Sequence, residues 1–210
     1  MNKTQQGRSM IEMLGVLAIV GVLSVGGIMA YNMAMNKFKT NKQMDQIQLI
    51  MTNIKTLFAS NTNYDGLNNA VLVGLGVLQS HDQNAMSGSL DQEVQVDNAF
   101  GGSIWVKANS GDFKGTLGTA VANGSYTIAI DNIPRSACAV MANNDWGGAD
   151  SGLLELSIDK NSNLTAGQDQ SATVGTSVYV SGDSGTVVRK NVALLAGMCV
   201  SSNNMYWVVK

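Results

Sequence analysis

Residues 13–35, MLGVLAIVGVLSVGGIMAYNMAM, carry no charge at all. Wound as an α-helix at ~1.5 Å per residue they span about 35 Å, enough to cross the ~30 Å hydrocarbon layer of a bilayer. This run constrains the whole chain, because a helix that is apolar on every side has no water-facing surface and must be covered by lipid or by other helices. The chain has 210 residues. The remainder suffices for one head domain with a core of its own.

Hydropathy alone fits a secretory signal peptide or a plain single-span anchor. A secretory signal places a small-residue cleavage site after its apolar region and so discards it; here Met29-Ala30-Tyr31-Asn32 is a poor candidate. Instead a polar leader, residues 1–6 with Lys3 as its only charge, ends in Gly7 immediately ahead of the run. Cutting after Gly7 would keep the apolar helix in the mature protein. Glu12 stands just inside the span, although an ionised acid at mid-membrane costs roughly 2.5–3.5 kcal/mol on insertion scales. If the mature chain begins at Arg8, the new α-amino group lies four residues, about one helical turn, from Glu12. A buried carboxylate demands a partner, and that ammonium is one.

Together these residues, GRSMIEMLGVLAIVGVLSVGGI at positions 7–28, resemble the class III signal of type IV prepilins and type II secretion pseudopilins. The resemblance is good over the first 55 residues or so. It implies that Gly7 precedes the prepilin peptidase cut, that Arg8 is the first mature residue and is N-methylated, and that Glu12 is the acid that docks an incoming subunit against a neighbour's N-terminus. Arg8 departs from the family's usual apolar first residue. The implied partners are other pilin subunits, prepilin peptidase, an inner-membrane assembly platform and membrane lipid. The implied location is the bacterial inner membrane with a periplasmic head, then the extracellular pilus.

Beyond the run, Lys37, Lys39 and Lys42 form a basic cluster, whereas the leader side offers only Lys3 and Arg8. Charge counting alone would leave the lysines in the cytoplasm. The processing signal implies the opposite orientation, and a large following domain is translocated largely regardless of charge. Met44, Ile47, Met51, Ile54 and Phe58 then recur at three- and four-residue steps, so the helix continues as an amphipathic one. From residue 9 to about residue 59 it would measure roughly 75 Å. Gly15, Gly21, Gly26 and Gly27 each weaken it by about 1 kcal/mol in water, a cost that close helix approach offsets in lipid.

The rest of the chain reads as a sheet-rich head: 23 glycines against one proline, with Ser, Thr and Asn crowded into residues 80–205, mark short strands and polar turns. The pattern predicts a turn at 61–66, a short apolar helix at 67–78 and a polar loop at 79–98. Strands are expected at 103–108, 125–131, 152–158, 177–181 and 205–209, with a helix opened by Pro134 that carries Cys138. The expected fold class is therefore α+β, a long N-terminal α-helix packed against an antiparallel β-sheet head. Its divisions are a leader at 1–7, the helix at 8–60 (apolar half 9–36, amphipathic half 37–60) and the head at 61–210.

Cys138 and Cys199 are either free thiols or a disulfide, and the exported-looking, Ser/Asn-rich surroundings favour the bridge. IPRSACAVM and ALLAGMCVSSNNMYWVV resemble, more loosely, the type IVb pilin arrangement in which a disulfide ties such an element to the C-terminal segment. Chemistry is otherwise sparse. His81 is the only histidine, which rules out a His-based metal site, and no nucleophile elbow, Walker or HExxH motif occurs. Residues 159–163, DKNSN, lack the glycine and glutamate of a calcium loop, and residues 143–150 form a polar loop that serves either as a connector or as a receptor contact. No cofactor, metal or catalytic residue is expected. Thirteen basic against fifteen acidic residues, net −2, give no field to attract nucleic acid.

The leading expectation is a structural subunit of a type IVb-like pilus, serving adhesion, aggregation or motility. A type II secretion pseudopilin shares Gly7 and Glu12 but has a smaller, cysteine-poor head. A membrane-anchored periplasmic enzyme or binding protein would need a catalytic or binding constellation.

Overall fold

The computed structural model describes residues 6–80, 94–109, 112–114, 120–122, 124–147, 151–159, 176–181, 187–189 and 197–210. The chain forms two compact units, Met1–Lys39 and Thr40–Lys210. One continuous helix, α1 (Gln6–Leu57), contributes to both. Its second part builds the head.

Within the head, Thr40, Gln43, Ile47, Ile50 and Ile54 are the buried positions of α1, spaced three and four apart so that they share one face. The apolar periodicity placed this face on Met44, Ile47, Met51, Ile54 and Phe58. Met44, Met51 and Phe58 are only partly buried against the core. The reason is Gln43, whose Oε1 accepts a 2.8 Å hydrogen bond from the Ala99 amide. A buried amide steers the helix face, and hydropathy scores such a residue as solvent-facing.

Seven strands form one antiparallel sheet in the order β1 (Val96–Asp97), β2 (Ser103–Ala108), β5 (Tyr126–Pro134), β9 (Ser202–Val209), β6 (Leu153–Asp159), β7 (Thr176–Ser181) and β8 (Val187–Arg189). A separate pair joins β3 (Asp112–Lys114) to β4 (Ala120–Ala122). Alternation along each strand sends one set of side chains to the helix side. Two cross-strand rows result, Ile104, Ile130, Met205 and Ile158 in one, Val106, Ile128, Trp207 and Leu156 in the other. Both belong to one core with Ile47, Ile50 and Ile54. On the opposite face Thr127, Ala129, Tyr206, Val208 and Glu155 are buried too, so the sheet centre is covered on both sides.

All five expected strands exist, with β9 and β5 longer than their apolar cores. β1 falls where a loop was expected, because two residues offer no readable alternation. The expected helix at 67–78 contracts to α2 (Asn69–Gly74), capped by the Asn68 side chain, which accepts from Val71 N at 2.9 Å. It stops before Gly76, whose φ of +73° is the left-handed conformation that ends helices.

Asn69 explains how the sheet edge is sealed. β1 pairs only the first two residues of β2. Beyond them Asn69 Nδ2 donates to Ile104 O and Val94 O, each at 2.8 Å, while its Oδ1 accepts from Val106 N at 2.8 Å. Leu67 O then accepts from Ala108 N at 3.1 Å. A side-chain amide thus continues the ladder in place of a strand and closes an edge that would otherwise invite pairing with another chain. A similar role falls to Asn98 at the β1–β2 turn, whose Oδ1 accepts from Phe100 N and Gly102 N and whose Nδ2 donates to Asp131 O at 2.7 Å.

Replacing Asn69 by alanine strands three buried backbone groups, each worth about 1–3 kcal/mol. Asn69→Ala is therefore expected to lower the unfolding free energy by about 3 kcal/mol or more in urea titrations. Asn68→Ala, which removes only a helix cap, should cost about 1 kcal/mol.

Candidate functional site

In the first unit, α1 displays its apolar side chains on all sides. Met10, Ile11, Leu14, Leu17, Val22, Leu23, Ile28 and Met33 are each more than 60% exposed, which in water no folded protein tolerates over so long a surface. The helix is long and apolar enough to cross a membrane by length and composition. Ser24 satisfies itself by donating to Val20 O at 2.7 Å, the usual solution for a hydroxyl in a lipid-facing helix. At Gly15, Gly21, Gly26 and Gly27 an added Cβ would meet nothing within 4 Å. The space beside these glycines is open to a neighbour.

Gly7 and Arg8 lie in the first turns of α1, and Glu12 is exposed on it. Glu12 is the only charged residue between Arg8 and Lys37.

In the head, α3 (Arg135–Asn143) carries Cys138 to Cys199, and the two form a disulfide with Cα atoms 5.9 Å apart. Pro134 is the N-cap of α3, one position before the first helical turn. The bridge closes just ahead of β9, where Asn203 pins the strand's start: its Nδ2 donates to Ile133 O and Val200 O, both at 2.9 Å, and its Oδ1 accepts from Val200 N at 2.7 Å. Trp146, in the loop weighed as a receptor contact, is buried. Its ring stands edge-on to Trp207 at 5.2 Å and its Nε1 donates to Met141 O at 2.9 Å. It is a core residue, which sequence could not distinguish from a display residue in so polar a stretch.

Among the described residues no group of three His, Cys, Asp or Glu side chains could hold a metal ion. His81 and residues 160–163 lie outside the described residues. The groups with displaced pKa values are explained by packing. Burial pushes the Tyr126 hydroxyl far up, with the nearby Tyr64 adding to it. Burial also raises Asp131, partly offset by the Ser103 amide that its carboxylate accepts. Tyr206 is raised first by burial, lowered by a hydrogen bond with Asn204, and raised again by the charges of Asp159 and Asp131. All three are residues of the sheet, Tyr126 and Tyr206 buried and Asp131 half-buried.

A model of the family described as PilS N terminal matches residues 37–191. The major structural subunit of bundle-forming pilus from Escherichia coli O111:H- is 22% identical over 164 residues, 78% of this chain and 77% of that one. The corresponding subunit from Escherichia coli O127:H6 (strain E2348/69 / EPEC) is similar to the same extent. The crystal structure of a type IVb pilin from Salmonella typhi is similar with a TM-score of 0.49 and 15% identity, over 80% of this chain and 97% of that one.

The disulfide joins residues 61 apart in sequence. Chain-entropy arguments then give about 4 kcal/mol of stabilisation. A Cys138→Ala/Cys199→Ala variant, or the wild-type chain under reductant, is expected to unfold at markedly lower denaturant concentration. Alkylation of the native, unreduced protein should label neither sulfur.

Proposed function

Because the chain belongs to the PilS N terminal family, we propose that it is a type IVb-like pilin, made as a precursor, stored in the bacterial inner membrane and built into an extracellular pilus with other copies of itself. In this reading residues 1–7 are a leader removed by prepilin peptidase after Gly7, residues 8–60 are the filament-building helix, and residues 61–210 are the displayed head. The head is periplasmic while the subunit is stored. An inner-membrane assembly platform extracts it.

The observation that carries this reading is the all-round exposure of the apolar part of α1, interrupted by the single charge of Glu12. Lipid can cover the apolar surface in storage, and neighbouring copies of the same helix can cover it in a fibre. The open sides of Gly15, Gly21, Gly26 and Gly27 suit the close approach that packed apolar helices need. The head's role is structural, not enzymatic. A bridged head of this size also favours a pilus subunit over a secretion pseudopilin.

Glu12 supplies what apolar packing lacks, a specific register. Its carboxylate would receive the α-ammonium of a neighbouring Arg8 as the subunits dock. Neither charge is tolerable in an apolar interior without the other.

Two outcomes are expected. N-terminal sequencing of the mature protein should begin at Arg8, and a start at Met1 or beyond Met29 overturns the processing step. Glu12→Ala should leave the membrane-held amount unchanged or higher, since an acid is removed from the apolar span. Fibres should be lost, because unpairing a buried ion costs on the order of 3–5 kcal/mol, more than a hundredfold in docking. Normal fibres from cells making only Glu12→Ala protein, at wild-type levels, would refute the assigned role.

A further inference from the structure

We propose that Lys37 and Lys39 form a binding site for anionic phospholipid headgroups on the head-facing side of the membrane that stores the subunit. The inference rests on the membrane-stored reading above and goes beyond it by naming a lipid partner and the residues that select it.

Distances along the helix place the lysines. An ionised acid avoids the hydrocarbon centre, so Glu12 marks the inner boundary of the apolar layer. From there Tyr31 lies about 28 Å up the axis and Lys37 about 37 Å. The hydrocarbon is about 30 Å thick and the bilayer about 40–45 Å with its headgroups. Tyr31, 63% exposed, therefore meets the edge of the hydrocarbon, where aromatic belts sit. Lys37 therefore comes out at the outer edge of the headgroup layer, about 7 Å past the hydrocarbon, and Lys39 follows about 3 Å further along the axis.

Orientation selects the partner. Two residues of helix turn through about 200°, so Lys37, exposed, and Lys39, half-buried, leave α1 on nearly opposite sides, with Phe38, 64% exposed, between them. A flat protein surface meets one side of a helix. Lipid headgroups surround it, and two cations on opposite sides match such a ring. No acidic residue intervenes between Glu12 and Asp45 to neutralise this stretch from within the helix. The long alkyl stems let the ammonium groups reach back to the phosphates from the outer edge of the headgroup layer.

A lysine near an anionic surface improves binding by roughly fivefold, so two give on the order of 25-fold. The test uses the full chain in mixed micelles titrated with phosphatidylglycerol or phosphatidylcholine, with bound lipids counted by native mass spectrometry. The wild-type protein should retain phosphatidylglycerol about 25-fold more readily. K37Q/K39Q should lose most of that preference, and K37R/K39R should keep it. Equal retention of the two lipids by wild-type protein overturns the proposal whether or not any variant folds. So does a preference that survives K37Q/K39Q, or one that disappears in K3Q/R8Q instead. Loss of fibres in K37Q/K39Q without any lipid preference in the wild type would assign the lysines to an acidic protein partner and likewise refute it. Absence of the chain from the membrane fraction would sink the storage reading itself, an outcome distinct from all of these.

Discussion

The head is organised around its last strand. β9 pairs with β5 on one side and β6 on the other, carries the fully buried Trp207, and is followed by Lys210, whose amide donates to Gly152 O at 2.7 Å. Until these eight residues are in place, β5 and β6 have no partner between them and the two rows of core side chains are interrupted at their centre. That dependence explains the concentration of fixings at the strand's start: the bridge from α3, the three hydrogen bonds of Asn203, and the Trp146 ring laid against Trp207. A strand that closes a sheet from the far end of the sequence incurs the largest loop-closure cost. Covalent and amide restraints placed at its start offset that cost where it falls.

Amides do in this head what ion pairs do in many others. Asn69 replaces a missing strand, Asn98 holds the β1–β2 turn, Asn203 anchors β9 and Gln43 joins α1 to the turn at Ala99. An amide offers both a donor and an acceptor without the desolvation penalty of a charge. In a chain with only 13% charged residues this is a consistent choice. The bulge in β5 between Ile130 and Ile133 belongs to the same system. Asn132 takes a φ of +54° there, which allows the Asp131 carboxylate to receive the Ser103 amide. Gly102 has no room for a Cβ beside Asp131.

Much of this fold was legible in sequence. The long helix, the five main strands, the helix bearing Cys138 and the antiparallel sheet follow from period and composition, because bulk burial fixes them. The buried amides were not legible, since a hydropathy scale scores Asn69 and Gln43 as solvent-facing and only their partners reveal otherwise. The same blindness shifted the reading of the buried helix face from Gln43 and Ile50 toward Met44 and Phe58. β1, β3, β4 and β8 are two or three residues long, shorter than any alternation can show. At the candidate site the Cys138–Cys199 bridge was favoured by the exported-looking surroundings of both residues, and it is formed. Trp146 was open to two readings until its ring was found against Trp207.

The two parts of α1 are stabilised by different means, which suits a helix that must change surroundings. The apolar core of the head draws on α1 only from Met44 onward, with Gln43 as its polar fastening. Over residues 13–30 the exposed side chains are apolar apart from Ser24, which has its hydrogen bond within the helix. Exchanging lipid for neighbouring helices over that surface replaces one set of dispersion contacts by another and leaves the backbone hydrogen bonds intact. Apolar exchange of this kind is nearly neutral and has no preferred register, since hydrocarbon is as good a solvent for leucine as another leucine is. A directed assembly needs at least one group for which lipid and neighbour differ strongly. Between Arg8 and Lys37 the only group with a charge is Glu12, which is why the function proposed above gives the docking contact to that residue.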